Sequence, residues 1–146
     1  MKRKGFLIAT IMICVTLFGL GVAYAAEVRY TSYLDMPAGI TWTGAERNYD
    51  YANQKISFYP TSLTSFQNDN TGNPVTYCDI LLEKKGWIFW SDASSGTMAM
   101  RETGRTYSME MGNNGSGKFR YTFSTGTAQL PLGAFYADPV YMYGYQ

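Results

Sequence analysis

From Lys118 to Ser124 the chain alternates without exception: Phe119, Tyr121 and Phe123 are aromatic, while Arg120, Thr122 and Ser124 are polar. A strict period of two gathers apolar side chains on one face of an extended strand, whereas a helix would scatter them. The period recurs over residues 75–84, where Thr76, Cys78, Ile80 and Leu82 point one way and Val75, Tyr77, Asp79, Leu81 and Glu83 the other. Helical spacing of apolar residues hardly appears after residue 25. Half-buried strands are what such a chain can build.

Other segments fit the same plan. The pattern from Thr97 to Met111 predicts a hairpin about Thr103-Gly104, with Glu102 opposite Arg105, Met100 opposite Tyr107 and Met98 opposite Met109. Lys85-Gly86 predicts a turn, Trp87-Ile88-Phe89-Trp90 a continuously apolar strand, and Ser91 to Gly96 a loop. In such a strand Trp87 and Trp90 face opposite sides, which puts at least one in the core. Val28 to Leu34 and Ile40 to Thr43 read as strands around a Met36-Pro37-Ala38-Gly39 turn. Lys55 to Tyr59 reads as a strand stopped by Pro60, and Gln67 to Pro74 as a polar loop. Phe135-Tyr136 and Val140 to Tyr145 flank a turn at Ala137-Asp138-Pro139. From residue 26 onward there are three Trp, six Phe and twelve Tyr, residues that favour strands and bury much area each. Eight or nine short strands with frequent turn signals predict an all-β fold. A small antiparallel β-sandwich is expected, with a closed β-barrel as the alternative.

The first 25 residues are built differently. Lys2, Arg3 and Lys4 form a basic start, and Phe6 to Leu20 is an apolar run broken only by Thr10, Thr16 and Gly19. Ala23-Tyr24-Ala25 then supplies small residues at the two positions a signal peptidase reads. The cations stay on the negative cytoplasmic side while the apolar run enters the membrane, the layout of a secretory signal peptide. Cleavage after Ala25 is expected, leaving residues 26–146 as a single all-β domain, secreted and without a membrane span. The alternative is a chain anchored in the membrane by an uncleaved N-terminal helix, since Gly5 to Ala26 approaches the ~20 apolar residues of a span. Gly19, Gly21 and the absence of a following basic stop favour cleavage. Met12 and Ile13 before Cys14 do not form a lipoprotein context.

Removing the signal changes the chemistry. Three of the twelve cations and none of the eleven acids lie in it, so the remainder carries nine cations and eleven acids, a net charge of −2. A balance this small and mixed argues against a nucleic-acid or anionic-membrane binder. Cys14 leaves with the signal, and Cys78 alone cannot form an intramolecular disulfide. In phase with Ile80 and Leu82, it reads as a buried, inert thiol. The chain has no histidine, which removes serine–histidine and cysteine–histidine catalysis and histidine-based metal sites.

Three further patterns carry little. Asp79 and Glu83 share a strand face but stand ~13 Å apart, beyond the ~5–9.5 Å of a glycosidase pair. Asn68-Asp69-Asn70-Thr71-Gly72-Asn73 has alternating oxygen ligands, but its glycine is one position early for an EF-hand and no glutamate closes the loop, so a plain turn is favoured. Asn114-Gly115-Ser116 is a formal glycosylation sequon and first of all a turn. No catalytic residue, metal ligand or cofactor is assigned.

One constellation remains. Tyr141, Tyr143 and Tyr145 share one strand face, with Val140 and Met142 on the other. With Val140 and Met142 inward, the tyrosines form a row able to stack on sugar rings or meet a partner. The competing reading is a tyrosine ladder stiffening an edge strand, or packing on a neighbouring loop.

A signal peptide followed by one tyrosine- and glycine-rich β-domain resembles in build the small exported proteins of Gram-positive bacteria, among them lactococcin 972-like bacteriocins. The resemblance lies in the plan and assigns no residue a role. The leading expectation is a non-enzymatic exported β-domain that binds a glycan or protein at or beyond the cell envelope through Tyr141, Tyr143 and Tyr145. A secreted bacteriocin-like antagonist is the alternative, and a carboxylate-dependent hydrolase the third.

Overall fold

The structure is a computed structural model that describes residues 27–146; the signal peptide expected over residues 1–25 lies outside the described residues. Ten strands and no helix occur among the described residues. They are β1 (Glu27–Met36), β2 (Thr41–Thr43), β3 (Arg47–Tyr49), β4 (Asn53–Thr64), β5 (Gln67–Asn68), β6 (Pro74–Lys85), β7 (Trp90–Met100), β8 (Tyr107–Asn113), β9 (Gly117–Ser124) and β10 (Ala134–Tyr145). The first sheet has the order β1-β10-β4-β8. In the second, β2 and β3 both pair with β9, β9 with β6, and β6 with β7, while β5 pairs with the start of β6. All pairings are antiparallel. These are two separate sheets, a β-sandwich and not a closed barrel. With β2 and β3 taken as one interrupted strand and the two-residue β5 set aside, each strand of the first sheet has the rank of a chain neighbour in the second, the order of a jelly roll.

The core is the sum of the inward faces. Cys78, Ile80 and Leu82 of β6 are buried with Phe119, Tyr121 and Phe123 of β9, against Ile56 and Phe58 of β4 and Phe135, Val140 and Met142 of β10. The aromatic rings pack within and across the sheets: Phe58 of β4 lies 5.6 Å from Phe135 of β10 in the same sheet and 5.8 Å from Phe123 of β9 in the other, centroid to centroid. At Gly144 a Cβ would come within 2.6 Å of the Tyr49 ring, so the missing side chain lets that ring seat against β10. Buried Gln54 spends its amide on Tyr51, Gly115 and Asn114, pinning the β8–β9 turn to the start of β4.

Several sequence expectations need correction. Thr97–Met111 is not a hairpin. Met98 and Met100 are buried as expected, but β7 pairs with β6 and β8 with β4, so the segment crosses from one sheet to the other. Alternation fixes the buried face and leaves the pairing partner open. The Glu102–Arg105 ion pair does form, at 3.0 Å, within the crossing loop. Trp87, Ile88 and Phe89 are a turn closed by Gly86 N–H on Phe89 O at 2.9 Å, not a strand, and neither Trp87 nor Trp90 enters the core. Ser91 to Gly96 is strand, because the long edge of β6 supplies hydrogen bonds whatever the local propensity.

Pro60 does not stop β4. Pairing with β8 ends at Phe58↔Tyr107, so the missing N–H falls where that partner has ended. Ala137-Asp138-Pro139 is a bulge inside one continuous β10, not a turn between two strands. The polar loop at 67–74 includes β5 and folds around Asp69, whose Oδ1 accepts from Thr71 N–H, Thr71 Oγ1 and Asn73 N–H at 2.9, 2.6 and 3.1 Å.

Candidate functional site

The row formed by Tyr141, Tyr143 and Tyr145 lies on the outer face of the first sheet. Val140 and Met142 are buried beneath it and the three tyrosines are half-buried, as alternation requires. β10 runs between β1 and β4, so the row sits on an interior strand and the edge-strand ladder is excluded. Neighbouring strands place Glu27 and Asn53 beside Tyr145, Arg29 and Lys55 beside Tyr143, and Thr31 and Ser57 beside Tyr141.

Each tyrosine has a distinct setting. The Tyr141 and Tyr143 rings lie 6.0 Å apart and inclined by 51°. The Arg29 guanidinium stands 4.7 Å from the Tyr141 centroid, a cation–π contact that stiffens one end of the row. The Tyr145 hydroxyl donates to Glu110 Oε2, and Lys55 Nζ meets Glu110 Oε1 at 3.2 Å. The bond to Glu110, and then burial, raises the Tyr145 phenol above its ordinary range. Tyr143 and Tyr145 form the aromatic side of an open hollow of about 480 Å³, completed by Glu27, Lys55, Ser57, Thr106, Ser108 and Glu110. Ser57 and Ser108 hydroxyls bond each other at 2.7 Å across its floor.

The hollow therefore offers two ring surfaces beside hydroxyl, ammonium and carboxylate groups. Sugars need this pairing: the apolar C–H face of a pyranose stacks on a ring while its hydroxyls bond to polar neighbours.

Sequence reasoning missed part of this face. Tyr136 also points outward and lies 6.3 Å from Tyr33, which is well exposed on β1. The one-residue shifts of the 137–139 bulge hide the phase that joins Tyr136 to the later row. A period of two carried straight back from Tyr141 would put Tyr136 on the buried face; only the extra residue of the bulge turns it outward.

No family model matches the sequence, and no curated protein matches it. Among solved structures, a family two carbohydrate esterase from Cellvibrio japonicus is similar over 83% of this chain and 36% of its own, with a TM-score of 0.34 and 10% identity. This chain thus spans about a third of that esterase's length.

Three of the acids are held in their charged form by partners. Glu83 is lowered first by its bonds to Arg120, Glu46 by Lys85 and Lys118, and Asp69 by Thr71 and Arg101. A general acid in sugar hydrolysis needs the opposite shift. Glu27 and Glu110 both line the hollow from the two edge strands of the sheet, with Tyr145 between them. Cys78 is fully buried, and burial pushes its thiol up to about 12, which removes it as a nucleophile at neutral pH. Among the described residues no group of three metal-ligating side chains comes together, and no helix is long and apolar enough to cross a membrane.

Proposed function

We propose that this protein is an exported, non-enzymatic binding module that takes a glycan at or beyond the cell envelope on the outer face of its first sheet. The observation that carries the reading is the hollow beside Tyr143 and Tyr145, where rings and hydrogen-bonding side chains converge on an otherwise regular sheet. Tyr143, Tyr145, Lys55 and Ser57 are set on the interior strands β10 and β4 over a packed core, so this part of the surface is preorganised and little ordering entropy opposes binding. The basic start, apolar run and small-residue cut site of residues 1–25 support delivery across the membrane.

The test is retention on insoluble cell-wall polysaccharides and a soluble-glycan panel. Tyr143→Ala is expected to lower affinity roughly tenfold or more while the melting temperature stays nearly unchanged. Unchanged retention in that variant, or a large stability loss with no glycan bound by the wild type, overturns the reading.

A further inference from the structure

The β6–β7 turn presents the most exposed apolar group among the described residues. Trp87 is 97% exposed, Ile88 67% and Phe89 77%, three large side chains in succession on a convex tip. The support below them is firm. Lys85↔Trp90 is the last pair of the hairpin, and Gly86 N–H closes the turn on Phe89 O. The Trp90 ring is covered by Arg120 at 4.3 Å and Lys85 at 5.6 Å, and Lys85 also meets Glu46 at 2.9 Å. The apolar residues thus project from a braced stem and bury nothing of their own.

Two observations indicate what covers the tip. A turn splays consecutive side chains in different directions, so the three rim a knob and form no flat face. A fluid medium accepts such a shape on all sides, and Trp and Phe favour the head-group boundary of a bilayer. The second is where the chain enters the sandwich. Glu27 pairs with Tyr145, Tyr145 with Asn53 and Asn53 with Asn113. Asn114 then accepts from Lys84 Nζ at 2.7 Å, next to the β6–β7 turn. Glu27 and the tip therefore lie at the same end. The apolar run Phe6–Leu20 stops six residues before Glu27. Leu20 and Glu27 are seven steps apart, about 25 Å at most. Where that run stays in the membrane as an anchor, this is the end of the sandwich tethered beside the bilayer.

We propose that the β6–β7 turn is a membrane-docking tip, with Trp87, Ile88 and Phe89 entering the head-group region of a lipid bilayer. Lys84, Lys85, Lys118 and Arg120 stand at its foot with Glu46, Glu83 and Asp92, so charge is nearly balanced there. Docking then runs on apolar insertion, with little dependence on anionic lipid or salt.

The test uses the protein as purified from cells that export it, with phosphatidylcholine vesicles whose acyl chains are plain or brominated. Emission is compared between the wild type and Trp87→Phe, which keeps an apolar tip and removes the reporter. The difference isolates Trp87 whether or not the N-terminal run is still attached. Trp87 emission is expected to be quenched by brominated lipid. Ile88→Ser with Phe89→Ser, which keeps Trp87 and touches no core residue, is expected to weaken the lipid titration by roughly tenfold or more. Equal Trp87 emission in plain and brominated vesicles, a double variant that titrates like the wild type, or tip-dependent binding to a purified envelope protein without lipid overturns the proposal.

Discussion

The thioether of Met109 lies over the backbone of Gly96, where a Cβ would come within 2.7 Å of the sulfur. Gly96 belongs to β7 at one edge of the second sheet and Met109 to β8 at one edge of the first. Their contact closes the sandwich on that side, beyond the last hydrogen-bonded pair of either sheet. A methionine end can swing, so a single methyl is accommodated by a shift, whereas a branched side chain is not. Gly96→Val is expected to destabilise by about 1–3 kcal/mol, read as a lower urea midpoint at unchanged m. Met109→Ala in that background should recover part of the loss, a coupling that a double-mutant cycle reports.

Arg120 and Glu83 sit opposite each other in the β9–β6 register and share two parallel hydrogen bonds of 2.9 Å each. Thr122 Oγ1 adds a third bond to Glu83 at 2.9 Å, and the guanidinium rests over Trp90. Lysine at this position keeps the charge and loses both the fork and the stacking. Arg120→Lys is therefore expected to lower the urea midpoint modestly at neutral pH. The bonds from Arg120 hold the Glu83 carboxyl below its ordinary 4.5. The stability this provides is full above that value and is lost as pH falls through the lowered one. The gap between wild type and Arg120→Lys should thus narrow in acid, which urea midpoints at neutral pH and well below the carboxylate range will measure.

Local alternation made the sandwich readable, because Phe119, Tyr121 and Phe123 can share a buried face only in a strand. It also placed Tyr141, Tyr143 and Tyr145 outward and Cys78 inward, where they are found. It could not say that Met98 and Met109 belong to different sheets, since a buried face looks the same whichever strand pairs with it. Apolar content misled at Trp87-Ile88-Phe89, where four residues had to turn between Lys85 and Trp90. The hollow was out of reach for a related reason: Lys55, Ser108 and Glu110 join Tyr145 only through long-range strand pairing.

Burial pushes the Cys78 thiol from 9.0 up to about 12 and raises the phenols of Tyr49 and Tyr121 above 10.0. Each group holds its proton more tightly folded than unfolded. Their contribution is therefore full below the unfolded values and is lost as pH climbs past 9.0 for the thiol and past 10.0 for the phenols. Stability should fall in alkali with a slope of up to about 1.4 kcal/mol per pH unit for each group engaged. Tyr121→Phe separates the contributions. Its hydroxyl, like that of Tyr49, has no hydrogen-bond partner among the described protein atoms. Removing it forfeits no bond and ends the cost of burying an unpaired donor. The variant is expected to match or exceed the wild type at neutral pH, by up to about 1 kcal/mol, and to lose stability more slowly above pH 10.0. Urea midpoints across the alkaline range check both parts. A marked loss at neutral pH would mean that the hydroxyl is bonded in solution, and an unchanged alkaline slope would leave Cys78 and Tyr49 as the groups that set it.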